Sequence, residues 1–361
     1  MPKRTELEFD YTVPDKLMPK LPGEYRGKKR NACKMVILDK LHQSISHKDF
    51  NNIFDYLSPG DVVVINNSCM INNVCTGHIN DTNAIIYIRS FLPDDRCLIN
   101  LDYNNLALQI DDKIQIENNL YLTVLSTNNI NSTIEVKISN QNQLISVLAD
   151  TSDWNDCIID KLTFLANPGA YNSVYATKKG SLQPPSAGLH FVEDTLTKLK
   201  NMGVSVVPIT LHVAYGSDLI TSKFIPENIE EYKIAAEYYQ ISQETAKIIN
   251  EARQNNKKIV AIGTTVVRTL ETTTLMENGV AVTNPSSGWS ELFIYPGYQY
   301  KAMNIIFTNL HRPHSSHLML TIAATGKNLT EQAYREILRL EYEFDLFGDC
   351  MLITDVLHQN E

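Results

Sequence analysis

The sequence predicts an α/β protein: an α/β domain interrupted by a small antiparallel β domain. Two textures predict it. From Tyr171 onward, strand-like and helix-like segments alternate, as chains that build helix-covered sheets do. Between about Asn67 and Asp150 the texture changes to short β-branched runs (84–88, 120–125 and 133–138) separated by Asn/Asp turns, the pattern of a small barrel or sandwich. Residues 67–150 therefore read as an inserted domain, a small antiparallel barrel or sandwich. Residues 1–66 and 151–361 read as one discontinuous α/β domain built from both ends of the chain.

The elements follow in order. A basic lead-in, Tyr25-Arg26-Gly27-Lys28-Lys29-Arg30, precedes an apolar strand at 34–38, and a short helix-like piece ends near Leu57. Ser58-Pro59-Gly60-Asp61 is a turn, and the unbroken apolar run 62–65 is a strand buried on both faces. In the second half, 204–213 reads as a strand. Residues 243–256 read as a helix with Ala246, Ile248, Ile249 and Ala252 on its inner side. Residues 258–263 read as a strand, 264–276 as a helix, 302–309 as strand-like, 316–325 as an apolar helix and 331–342 as an amphipathic one.

With 361 residues, 43% of them hydrophobic, the chain can bury one large core or two smaller ones. No apolar run reaches membrane-spanning length, so a cytoplasmic protein with no membrane partner is expected. Six cysteines (Cys33, Cys69, Cys75, Cys97, Cys157 and Cys350) show neither a CxxC pair nor a framework spacing, and reduced thiols are expected. A net charge of −9 argues against indiscriminate nucleic-acid binding but leaves room for a local basic patch.

Several segments carry possible chemistry. In Gln183-Pro184-Pro185-Ser186-Ala187-Gly188-Leu189-His190-Phe191, two prolines stiffen a loop that leads into a predicted helix. Ser186 is the expected N-cap and Gly188 admits a close neighbour. Phe191, Leu196, Leu199 and Met202 form the apolar face, and Gly203 is the stop. Such a helix start would cradle a carboxylate or phosphate; the plainer reading is a capped surface helix. Residues 259–268 read as a strand–turn–helix crossing. Gly263 sits at its turn, Thr264 and Thr265 at the helix start and Arg268 in the first turns, where ligands dock in open α/β sheets. Simple capping is the alternative. His212 falls at a strand end and gains catalytic meaning only beside His190. His311, His314 and His317 recur every third residue, but Pro313 breaks the geometry, so a loop capping the next helix is preferred over a metal site. The aromatic stretch from Gly288 to Tyr298 is either packing with a type II turn at Pro296-Gly297 or a stacking wall for a base. Walker A, GxGxxG, GxSxG and HExxH motifs do not occur.

Together these segments resemble the S-adenosylmethionine:tRNA ribosyltransferase-isomerase family of queuosine biosynthesis. The likeness runs from Phe9-Asp10-Tyr11 to the stretch Phe347-Gly348-Asp349-Cys350-Met351-Leu352-Ile353. It also includes Gly60 to Asn66, Val174-Tyr175-Ala176, Pro185 to Phe191, Thr210 to Val213, Glu237-Tyr238-Tyr239, Gly263 to Glu271, Gly288 to Gly297 and His311 to Leu320. The resemblance implies an α/β barrel-like domain with an inserted β-barrel. It also implies a reaction in which the ribosyl part of S-adenosylmethionine passes to 7-aminomethyl-7-deazaguanine in a tRNA anticodon. Epoxyqueuosine, adenine and methionine result, with no metal required. On that basis Pro185, Ser186, Ala187, Gly188, Leu189, Gly263, Thr264, Thr265 and Arg268 are expected around S-adenosylmethionine. His190, His212 and Glu237 are the expected catalytic residues, in a protein expected to be monomeric.

The chain departs from the family pattern on the acceptor side. An Asn-Asp-Thr-Arg run followed by a second Arg becomes Asn66-Asn67-Ser68-Cys69 and then Asn72-Asn73. Arg-Tyr-Gln-Thr becomes Ala170-Tyr171-Asn172-Ser173, Gly-Leu-Gly-Thr-Phe-Arg becomes Ala214-Tyr215-Gly216-Ser217-Asp218-Leu219, and Met-His-Ser-Glu becomes Ile234-Ala235-Ala236-Glu237. Several of the lost residues are arginines, the side chains best suited to bidentate phosphate contacts. Two other readings share the scaffold: an S-adenosylmethionine-dependent enzyme with a small-molecule or peptide acceptor, and a non-catalytic tRNA-binding protein. Lys28, Lys29, Arg30 and Lys34 keep an RNA surface available.

Overall fold

The computed structural model describes residues 3–80, 82–102, 108–127, 133–150, 168–215, 228–229, 232 and 234–357. Cys157 and the departures at 216–219 lie outside the described residues. The α/β layer is a nine-stranded mixed sheet, and beside it stands a closed six-stranded antiparallel barrel.

The barrel is made of β5 (Val74–Ile79), β6 (Thr82–Leu92), β7 (Arg96–Asp102), β8 (Lys113–Glu117), β9 (Leu120–Ser126) and β10 (Ile134–Ile138). Alternate residues point inward: Ala84, Ile86 and Ile88 from β6 meet Leu120, Leu122 and Val124 from β9, and the helix Gln141–Ala149 plugs the core with Leu144 and Leu148. Before the barrel come β1 (Lys34–Asp39), β2 (Ser44–Asp49), β3 (Val62–Asn66) and β4 (Ser68–Met70). After it come β11 (Lys178–Ser181), β12 (Ser205–Leu211), β13 (Glu237–Ile241), β14 (Ile259–Ile262), β15 (Thr274–Glu277), β16 (Val280–Thr283), β17 (Ser286–Ser290), β18 (Ile305–Asn309) and β19 (Cys350–Thr354).

The large sheet runs β17-β13-β12-β3-β14-β18-β19-β1-β2, with β12, β3, β14 and β18 mutually parallel at its centre. Both of its faces are covered, which is why the central strands are unbroken apolar runs. Val62 and Val64 of β3 face the helices Gln243–Gln254 and Thr264–Thr273, together with Ser316–Thr325 and Lys327–Arg339. Val63 and Ile65 face Phe50, Phe191 and the helix Glu193–Asn201. The barrel joins this sheet through a parallel pair of short strands, β4 beside β11, so the chain leaves and re-enters the sheet side by side.

Several element boundaries differ from the sequence reading. The helix predicted over 264–276 ends at Thr273, and Thr274 opens the β15–β16 hairpin. Its turn is Asn278-Gly279, with φ of 52° and 81°, the positive pair that a two-residue hairpin turn requires. The strand predicted from 302 begins at Ile305, and the helix predicted over 331–342 spans Lys327–Arg339. The turn at Pro296-Gly297 forms as expected: Tyr298 N–H donates to Tyr295 O at 3.0 Å, and Gly297 has φ 103°.

The histidine-rich loop does cap the helix Ser316–Thr325, through the Ser315 side chain, which accepts from Leu318 N–H at 3.1 Å. His311 stacks on His317 with ring centres 5.3 Å apart, and His314 Nδ1 sits 2.9 Å from Glu8. Ser315→Ala is expected to cost about 1 kcal/mol of stability, measurable by urea denaturation. A loss below about 0.3 kcal/mol would show that the cap is dispensable.

Candidate active site

Where the barrel meets the carboxyl end of β12 there is a cleft of about 290 Å³. Ser90, Phe91 and Ile145 line it from the barrel side, and Lys179 and Gly180 from β11. His212, Tyr238 and Trp289 line it from the sheet. It lies outside the end of a parallel strand, the usual place for a ligand in such sheets. Tyr238 packs edge-on against Trp289 (5.8 Å, 72°) and stacks on His212 (5.8 Å, 22°). Of the aromatic stretch, Trp289 lines the cleft and also packs against the barrel core. Phe293 instead stacks on Tyr232 at 4.7 Å and lies 5.4 Å from Tyr295.

His212 is held from two sides. Its Nδ1 is 2.7 Å from Ser68 Oγ. Gly180, with φ 147°, passes so close that a Cβ there would come within 2.6 Å of Nε2. Asn66 sets the frame: its Oδ1 accepts from Leu211 N–H and Ser68 N–H, both at 3.0 Å, while its Nδ2 donates to Leu211 O at 2.9 Å and Thr265 Oγ1 at 3.2 Å. One buried amide thus ties β3, β12, β4 and the start of the helix Thr264–Thr273 to the base of His212.

Burial lowers the His212 pKa to about 4, so the imidazole is neutral at pH 7. A histidine of ordinary pKa in the unfolded chain binds a proton that the folded one refuses. Stability from this group is therefore full above about pH 6.5 and lost as pH falls towards 4. The expected loss is about 2–4 kcal/mol, read as a fall in melting temperature across that window. His212→Asn should flatten the fall; an equally steep curve in the variant would assign it to other groups.

The segment 186–190 differs from its expected form. Ser186–His190 is a separate five-residue 3-10 turn, closed by Gly188 N–H to Pro185 O at 3.1 Å and Phe191 N–H to Gly188 O at 3.2 Å. Phe191 and Val192 are extended, and the α-helix starts only at Glu193. Ser186 is therefore not its N-cap. The first helical turn carries Glu193 and Asp194, whose charges already answer the helix dipole. The cause is tertiary: Phe191 is drawn into the core between Phe50 and Phe307. The expected close approach at Gly188 is real, because a Cβ there would collide with the Tyr175 hydroxyl.

The turn does reach the other expected ligand segment. A Cβ on Gly263 would lie 3.3 Å from that of Ala187, and Gly263 has φ 93° at the start of the helix Thr264–Thr273. The first turn of that helix carries no acidic residue.

The two histidines belong to different surroundings, and no hydrogen bond or ring contact joins them among the described residues. His190 is 4% exposed and packs between Phe50 and Phe307. Its Nδ1 lies 3.3 Å from Cys33 Sγ and its Nε2 3.0 Å from Asn309 Oδ1. Asn309 Nδ2 in turn donates to Ser186 Oγ at 3.3 Å. Glu237 and Arg268 are brought together with each other: an ion pair joins them, 3% and 13% exposed. Glu237 also accepts from Ala214 N–H at 3.0 Å, and Arg268 donates to Leu292 O and Ser290 O, both at 3.0 Å. Arg268 is thus spent on the cleft wall. The sequence reading missed Ser68, Lys179, Gly180, Cys33 and Asn309. Gly180, directly after Lys178-Lys179, was the one with a readable signal, since a glycine inside a strand marks a close approach.

The basic lead-in is largely neutralised. Arg26 and Lys28 share Glu343, each at 2.8 Å, and Arg30 pairs with Glu24. Among the described residues, no group of three His, Cys, Asp or Glu side chains is placed to hold a metal ion, and no helix is long and apolar enough to cross a membrane.

The molecule is thus a mixed α/β protein with an inserted closed barrel, whose candidate site is an aromatic-walled cleft where the two parts meet. Residues 7–353 match the family described as queuosine biosynthesis protein, and the chain belongs to that family. It is 32% identical over 355 residues to the S-adenosylmethionine:tRNA ribosyltransferase-isomerase of Sulfurihydrogenibium sp. (strain YO3AOP1), covering 96% of this chain and 99% of that relative. It is 34% identical over 366 residues to the enzyme of the same name from Caldanaerobacter subterraneus subsp. tengcongensis, covering 97% and 99%. Among solved structures, the S-adenosylmethionine tRNA ribosyltransferase of Thermotoga maritima matches with a TM-score of 0.53 at 29% identity, over 96% of this chain and 99% of that one. The family's named members are enzymes of tRNA modification.

Proposed function

We propose that this chain transfers and isomerises the ribosyl moiety of S-adenosylmethionine onto 7-aminomethyl-7-deazaguanine in tRNA, releasing adenine and methionine and leaving epoxyqueuosine. The observation that carries this reading is the match to named ribosyltransferase-isomerases along 96% of the chain. The cleft is compatible with it: Tyr238 and Trp289 offer flat faces to a base, and Lys179 offers a cation to an anionic group. In this reading residues 67–150 form the inserted barrel domain, and residues 1–66 and 151–361 the catalytic domain.

His212 is the histidine that touches substrate. With Nδ1 engaged by Ser68, its Nε2 is the ring nitrogen left for exchange of a hydrogen bond or proton with the reacting groups. Pro185, Ser186, Ala187, Gly188 and Leu189, with Gly263, Thr264 and Thr265, form the S-adenosylmethionine cradle. The helix start at Thr264 faces a carboxylate, as helix N-termini favour. His190, Glu237 and Arg268 are positioning residues: each is fully engaged by protein groups and acts by fixing the turn or the cleft wall. Catalysis then rests on fixed donors around the departing groups.

The test is direct. Purified protein is incubated with S-adenosylmethionine and tRNA carrying 7-aminomethyl-7-deazaguanine, and adenine release and epoxyqueuosine in the digested tRNA are measured by mass spectrometry. Both products are expected in equal amounts. Adenine released at the same rate without that tRNA would replace this reading with an enzyme acting on another acceptor.

A further inference from the structure

The reaction leaves two neighbouring cysteines without a task. Cys33 lies immediately before β1, and Cys350 is the first residue of β19, the parallel neighbour of β1 in which Met35 pairs with Cys350. Their sulfurs are 3.8 Å apart. Cys350 is fully buried, whereas Cys33 is half-buried and lines a surface depression of about 380 Å³, so Cys33 is the nearer of the two to solvent. The third member is His190, whose Nδ1 is 3.3 Å from Cys33 Sγ and whose orientation is fixed from the far side by Asn309.

We propose that Cys33 is an oxidative modification site, at which a hydroperoxide oxidises the Cys33 sulfur and Cys350 resolves the product as an intramolecular disulfide. In the first step the thiolate attacks the peroxide: an S–O bond forms, the O–O bond breaks, and the departing alkoxide takes a proton from His190, leaving Cys33 as sulfenic acid. In the second, the Cys350 sulfur attacks: an S–S bond forms, the S–O bond breaks, and water leaves with the Cys350 proton. Two thiols lose two electrons in all, and one hydroperoxide becomes an alcohol and water.

The electrostatics of the cluster support this assignment of roles. The Cys350 S–H and the His190 charge together hold the Cys33 thiol down at about 5 against its burial, while Cys350 is pushed upward by burial and by Cys33. Asp49 and Asp349 face the pair and oppose ionisation. Burial raises the other described cysteines: Cys69 and Cys97 move upward and Cys75 to about 12, so they are poor nucleophiles. Closing the sulfurs from 3.8 Å to about 2 Å requires movement. Cys33 can supply it, being outside the regular strand. The disulfide would remove the Cys33 partner from His190 and so disturb the Ser186–His190 turn.

The full-length protein is treated with tert-butyl hydroperoxide, quenched by alkylation and mapped by peptide mass spectrometry. Expected is a loss of about 2 Da, a reducible crosslink between the peptides holding Cys33 and Cys350, and a rate independent of protein concentration. Cys350→Ala should instead accumulate sulfenic acid at Cys33, trapped by dimedone, and Cys33→Ser should abolish the crosslink. Wild-type mapping alone decides the matter if a variant misfolds. Cys33 remaining reduced while Cys69 reacts, or pairing with any other cysteine, would overturn the proposal. The readout uses neither S-adenosylmethionine nor tRNA, so its outcome is separate from that of the ribosyl-transfer assay.

Discussion

Replacing Glu237 with alanine is expected to lower the unfolding free energy by about 3–5 kcal/mol, the cost of leaving one member of a buried ion pair alone. Arg268 would keep only the carbonyl oxygens of Leu292 and Ser290, and the N–H of Ala214 would lose its acceptor. The loss lies at the cleft, because Ala214 follows His212 by two residues and the strand carrying Glu237 also carries Tyr238. Urea unfolding measures the first effect and adenine release the second. The double variant Glu237→Met with Arg268→Met should recover most of the stability, since no unpaired charge remains, but not the activity. If Glu237→Ala alone stays within about 1 kcal/mol of the unsubstituted protein, the pair is not the strut described here.

The second large effect is expected from a single methyl group. Gly180→Ala places a Cβ 2.6 Å from His212 Nε2, and the ring cannot retreat without leaving Ser68 or its stack on Tyr238. A displacement of about 1 Å at a substrate-contacting group costs on the order of 100-fold in turnover. Backbone strain adds to the loss of stability, because φ at Gly180 is 147°. The two causes separate in the His212→Ala background, where Gly180→Ala should still destabilise but should cost no further activity. Independent, multiplicative losses of activity would show that Gly180 acts on the site by some route other than the His212 ring.

Much of the scaffold was legible from residue patterns. The short β-branched runs between Asn67 and Asp150 pointed to the small antiparallel unit in which Ala84, Ile86 and Ile88 pack inward, and the unbroken run at 62–65 announced a strand covered on both faces. These signals are local: side-chain direction in a strand is set by the pleat, so burial is written in residue order. The helix assigned to 264–276 failed at its end for an equally local reason, an Asn-Gly turn at 278–279 whose φ values favour a hairpin.

The chemistry of individual residues was less legible. Arg268 at a helix start looks like an anion ligand until Glu237, distant in sequence, is seen to hold it. Ser186 looks like an N-cap until Phe191 is seen drawn into the core and the helix delayed to Glu193. His190 and His212 looked like possible partners, yet one rests against Cys33 and Asn309 and the other against Ser68 and Tyr238.

By itself, then, the sequence determined the fold class, the barrel insertion and the family, because each rests on periodicity or on motifs in fixed order. Only the tertiary structure decided which polar groups are occupied by protein and which face the cleft. That depends on through-space pairs such as Cys33–Cys350 and Glu237–Arg268, which residue order does not encode. A charge or imidazole becomes available or unavailable through its neighbours in space, since burial and pairing set its energy.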